Sequence, residues 1–138
     1  KAMGDYVRFK STIPARLNEL AIIITARQWS QNYEWQAHRP LAEKAGIRPE
    51  IAQAIADGRR PIGMGADEEI VYDFSTELHA NKSVSDATYK RALEKFGEQG
   101  IIDLTAANAY YTFNAMMLNV ARTALPASAK AELQPFPR

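Results

Sequence analysis

Residues 15–46, ARLNELAIIITARQWSQNYEWQAHRPLAEKAG, decide the fold class. Leu17, Leu20, Ala21, Ile24 and Gln28 recur at the three-to-four-residue spacing of one helix face, with charged residues between them. Thr12 and Pro14 make the entrance to that helix, which is expected to run to about Ser30. Asn32 is expected to cap a second helix over residues 33–45, and Gly46 stands where a left-handed residue closes a helix.

Working outward, Pro49 reads as the first turn of a short third helix that carries Ile51, Ala52, Ile55 and Ala56 inward and stops at Asp57-Gly58. Residues 59–65, with one Pro and two Gly, form a loop. Asp67-Glu68-Glu69 then place negative charge in the first turn of a fourth helix, which ends near Asn81. Ser85 and Asp86 open a fifth helix that closes at Gly100, and a sixth, over residues 101–124, is apolar around much of its circumference and is expected to be central. Pro126 ends it, and the tail with Pro135 and Pro137 is expected to be irregular. Nothing alternates with the period of two of a half-buried strand, and no segment repeats. The expected fold is all-α, a single domain over residues 1–138 of about six helices, with its core at about residues 11–126.

Composition narrows the chemistry. The 138 residues carry 17 Lys+Arg against 16 Asp+Glu, so no overall field favours nucleic acid or an anionic membrane. With no Cys in the chain, disulfides, thiolate metal sites, thiol nucleophiles and dithiol redox chemistry are all excluded. The longest apolar run, residues 20–24, falls far short of the ~20 residues of a membrane span. Residues 1–10 lack the apolar stretch of a secretory signal, which makes a cytoplasmic location the expectation. Asn81-Lys82-Ser83 matches a glycosylation acceptor, relevant only to a secreted protein.

Glu34 and His38 stand four residues apart, which on a helix is about 40° of rotation and about 6 Å of rise, so their side chains share a face. A carboxylate beside an imidazole favours the charged ring, while burial opposes charge on both, and the balance can tune such a pair for proton exchange near neutrality. Spacing alone favours an ordinary exposed pair. Glu19, on the preceding helix, points to the same spot if the two helices pack antiparallel about Gln31-Asn32. Two carboxylates and an imidazole also make a conceivable metal set, although the Glu-x-x-His spacing of di-iron bundles is absent. His79 fits a helix C-terminus, where the dipole favours it. Arg59-Arg60 is too small a cluster for nucleic acid, and Gly63-Met64-Gly65 lacks the lysine of a phosphate loop. Tyr110, Tyr111, Phe113, Met116 and Met117 line either a pocket, the core or a subunit contact.

The order Glu19-Leu20-Ala21-Ile22, Trp29, Tyr33-Glu34-Trp35, His38 and Ala45-Gly46 resembles the carboxymuconolactone decarboxylase family, related to the AhpD-like alkylhydroperoxidases. Glu77-Leu78-His79, Val84-Ser85-Asp86, Tyr89, Phe96-Gly97, Tyr110-Tyr111, Asn119 and Pro126 extend the likeness over about residues 11–126. The resemblance implies an AhpD-like helical bundle assembling as a homotrimer or hexamer, with its site near a subunit boundary. In the peroxidase branch a Cys-x-x-Cys pair precedes the histidine, and those two positions are Gln31 and Glu34 here, so thiol peroxidase activity is excluded.

The decarboxylase branch, a lyase of aromatic-compound catabolism, loses carbon dioxide from a small carboxylated lactone and protonates the resulting dienolate without a cofactor. The resemblance thus implies His38, Glu34 and Glu19 as catalytic residues, with His38 the proton donor. Arg16 or Arg27 is the candidate cation for the enolate oxygen, and Trp29 and Trp35 are candidate apolar walls for the substrate. The partners expected are a small-molecule substrate and further copies of the chain, with no nucleic acid, membrane, metal or cofactor. The alternatives are a non-catalytic oligomeric binding protein of the same fold and a metal-dependent enzyme using Glu19, Glu34 and His38.

Overall fold

A computed structural model describes residues 1–135, and Pro137 of the expected irregular tail lies outside the described residues. Among the described residues there are six helices and no strand: α1 (Ala2–Phe9), α2 (Ala15–Gln28), α3 (Asn32–Lys44), α4 (Pro49–Ala56), α5 (Ala66–Asn81) and α6 (Asp86–Ala121). None of these helices is long and apolar enough to cross a membrane.

The central helix is α2, not the last one. From Leu17 to Ala26 every residue except Glu19 is buried, because α3, α4, α5 and α6 all pack around it. A helix apolar on all sides suits that position. The last helix instead keeps an apolar stripe on its outer surface, where Ile102, Phe113 (56% exposed), Met116, Met117 and Val120 (83% exposed) face away from the core.

Two further differences concern helix ends. The expected break at Gly100 falls at Gly97, whose φ of 72° and ψ of 179° interrupt α6. Glycine tolerates that backbone where a side chain strains it. Gly100 lies within the helix with Phe96 folded against it. The cap of α3 is Gln31, whose side-chain oxygen accepts from the Glu34 N–H at 3.0 Å, while Asn32 turns outward to hold the tail. Asn32 Oδ1 accepts from the N–H groups of Glu132 and Leu133, and Leu133 is buried in the main core. The tail is irregular but docked.

Helix α1 was not expected. Its hold on the body comes from Val7, which packs with Ile22, Ala107 and Tyr111, and from Gly4, which lies so close to Tyr110 that a Cβ there would stand 2.5 Å from the phenol oxygen. Buried Asp103 on α6 ties the α1–α2 connection down, accepting from Tyr6 Oη at 2.8 Å, the Thr12 N–H at 2.7 Å and Thr12 Oγ1 at 2.6 Å.

Candidate functional site

Antiparallel packing of α2 and α3 brings Glu19 and His38 together. His38 Nδ1 and Glu19 Oε2 are 2.8 Å apart, with side chains only 14% and 18% exposed. An ionised carboxylate accepts only, so Nδ1 carries the proton and the tautomer is fixed. His38 Nε2 makes no hydrogen bond among the described residues and is not shut off from solvent. The imidazole meets Tyr111 of α6 edge to face, with ring centroids 5.0 Å apart and planes at 78°.

The spacing-based pairing of Glu34 with His38 is therefore replaced by Glu19 with His38. Glu34 is 3% exposed, and neither carboxylate oxygen has a hydrogen-bond partner among the described residues. Desolvation pushes its pKa from an ordinary 4.5 up to about 8, so at neutral pH Glu34 carries a proton. The reading of Glu34 and His38 as an exposed pair is set aside by this burial. Tyr111 is pushed up to about 12, first by burial and then by the negative charge of Glu19, with Arg8 of α1 acting against them. One turn of α3 thus offers a buried proton-bearing acid and an imidazole held by a carboxylate from the preceding helix.

The remaining candidates turn elsewhere. Arg16 joins α2 to α5 through Asp67 at 2.5 Å and Glu68 at 3.0 Å. Arg27 donates to Ser30 Oγ at 3.2 Å. Trp35 is fully buried with its Nε1 donating to Glu132 Oε2 at 3.0 Å, and Trp29 lines a different cleft. The cation whose field reaches Tyr111 is Arg8, on the unexpected α1. No three His, Cys, Asp or Glu side chains among the described residues converge as a metal-holding group, so Glu19, Glu34 and His38 do not form the metal set considered above.

Surface clefts among the described residues lie elsewhere. One, of about 460 Å³, is lined by Gln31, Tyr33, Leu118, Asn119 and Arg122 among others. The larger, of about 720 Å³, lies between α5 and α6 beside Trp29 and His79. Neither is lined by Glu19, Glu34 or His38. Comparison with family models, curated proteins and solved structures finds no match to this chain.

Proposed function

We propose that the chain is a cofactor-independent acid/base enzyme, carboxymuconolactone decarboxylase-like, acting on a small carboxylated lactone or carbonyl compound. The observation that carries this reading is the 2.8 Å Glu19–His38 bond between α2 and α3, with the buried and unpartnered Glu34 one turn before the histidine. In a decarboxylation the bond to the carboxylate carbon breaks, its electron pair stays on the adjacent carbon as an enolate, and carbon dioxide leaves. The imidazolium of His38, with Nδ1–H held by Glu19, donates the Nε2 proton to that carbon. Solvent reaching Nε2 returns the proton to the ring, and Glu34, neutral at pH 7, adds no negative charge one turn before it.

The same reading includes a homotrimer or hexamer in which a neighbouring copy walls the site. The uncharged outer stripe of α6, with Phe113, Met116, Met117 and Val120 exposed, supports such a contact. Light scattering coupled to size exclusion measures it, and a monomer at all concentrations refutes that part.

The test is a panel of carboxylated lactones and keto acids, followed for carbon dioxide release and for deuterium incorporation next to the carbonyl. His38→Ala is expected to keep the fold and lose turnover, and unchanged turnover in that variant sinks the assignment. A second reading, a non-catalytic oligomeric binding protein of the same architecture, is favoured by the position of both clefts away from His38. That reading predicts ligand binding with no exchange or turnover on any member of the panel.

A further inference from the structure

Helices α2, α5 and α6 build a second histidine site that the acid/base chemistry of His38 does not use. His79 of α5 places Nε2 3.0 Å from Thr25 Oγ1 and 3.0 Å from Asn108 Oδ1. The orientation of Asn108 is determined, because its amide nitrogen donates to the Leu104 carbonyl at 2.9 Å and to Ser75 Oγ at 3.1 Å. A backbone carbonyl accepts only, so the amide oxygen is the atom facing His79. Thr25 Oγ1 spends its proton on the Ala21 carbonyl at 2.9 Å and offers a lone pair to the ring. Both partners being acceptors, His79 Nε2 bears the hydrogen, and in the neutral ring Nδ1 is a bare lone pair.

That assembly is fully internal on one side and open on the other. Ser75, Thr25 and Asn108 are buried, whereas His79 lines the cleft of about 720 Å³. Nδ1 has no hydrogen bond among the described residues and, unlike the oxygens of Glu34, is not shut off from solvent. Burial, first of all, holds the ring's pKa below 6.5, with Lys82 acting in the same direction and the Asn108 bond against it. The cleft is also lined by apolar Trp29, Leu78, Ala109 and Met116, by uncharged Gln28, Thr105 and Thr112, and by Lys82, whose Nζ donates to the His79 carbonyl at 2.9 Å, and no acidic residue lines it.

We infer that this cleft binds a small organic monoanion with an apolar body and a hydroxyl donor, the hydroxyl on His79 Nδ1 and the anionic group on Lys82. A neutral imidazole with a bare nitrogen selects for a donor on the ligand. One ammonium with no opposing carboxylate selects for a single negative charge. The volume and apolar wall match an aromatic-sized ligand. This site stands on observations independent of His38, so its fate does not decide that of the proposed enzyme.

The experiment is a titration of the full chain with 3-(4-hydroxyphenyl)propionate, its methyl ether and its amide. Calorimetry gives affinity, and amide and indole NMR shifts give location. The acid is expected to shift the Trp29 indole and the Thr112 amide, with the ether and the amide each binding about tenfold more weakly. Lys82→Met, at an exposed position, is expected to weaken the acid about tenfold and leave the amide unchanged. His79→Leu removes the preference for the phenol over its ether. Ala109→Trp, also at an exposed position, fills the cleft and abolishes binding. Absence of binding by the acid overturns the inference, as do shifts confined to Phe113, Met117 and Val120 of the outer stripe of α6 or affinity indifferent to Lys82→Met and Ala109→Trp.

Discussion

The two histidines of this protein are fixed by opposite means. His38 is gripped by a carboxylate, Glu19, and leaves Nε2 free. His79 is gripped by an amide oxygen and a hydroxyl, inside a desolvated network that favours the neutral ring, and leaves Nδ1 free. The first arrangement suits a group that gives and takes protons, the second a group that accepts a hydrogen bond. The same residue type acquires two roles from whether its partner bears a charge.

The largest expected effect tests the functional half of this contrast. His38→Ala is predicted to lower turnover of the true substrate by about 10²–10⁴-fold, the usual worth of a positioned general acid, while His79→Ala changes it less than about twofold. Rate measurements on the pair of variants check both. Equal losses in the two variants would erase the distinction.

Next in size is the effect of Glu34 on stability. Its folded pKa of about 8 exceeds its ordinary 4.5, so between those values the native state holds more protons than the unfolded chain. The stability this carboxyl contributes is therefore full below pH 4.5 and is lost as pH rises through 8, a fall on the order of 5 kcal/mol. Glu34→Gln is expected to remove that slope in urea titrations between pH 5 and 9. A slope identical to wild type would place Glu34 in a solvated setting and break the account of it as a buried, protonated acid.

Asn108→Leu attacks the other network. It keeps the branched shape, with bulkier ends, but strips the amide that joins Ser75, Leu104 and His79, and is predicted to cost about 2–3 kcal/mol by leaving buried polar partners unpaired. Chevron or equilibrium urea data give the number. A cost under about 0.5 kcal/mol would mean that the ring of His79 is not fixed by this contact.

What was legible in the sequence follows the range of the interactions. The bounds of α2, α4 and α5 come within a residue or two of expectation, since periodicity, Pro49 and the acidic first turn of α5 are local signals. Helix α1 was illegible because only Gly4 and Val7 of its eight residues are buried. Gly97 and Gly100 look alike along the chain, and only packing against Phe96 makes one helical and the other a break. At the site, helical spacing pointed from His38 to Glu34, whereas the partner proved to be Glu19, nineteen residues away, brought in by the antiparallel turn. The burial that protonates Glu34 depends on several helices at once, and so does the tautomer of His79. An Asn at position 108 amid an apolar helix was the one local sign of that second network.

The smallest predicted effect concerns the charge on His79, and its sign separates it from Glu34. Burial lowers the folded pKa below the ordinary 6.5, so the stability this ring contributes is full above pH 6.5 and is lost as pH falls through the folded value. The Glu34 slope runs the other way across the same window, and in the wild type the two partly cancel. Asp67, Asp73, Glu77 and Asp103, whose pKa values lie below the ordinary 3.8 or 4.5, add their own losses only at more acid pH. In the Glu34→Gln background the His79 limb is therefore expected to emerge alone as the pH falls below about 6.5. Adding His79→Gln, which keeps an N–H donor for Thr25 and Asn108, should flatten it. Persistence of the limb in that double variant would show that the ring is not held neutral, and with it would fall the bare Nδ1 on which the contrast between the two histidines rests.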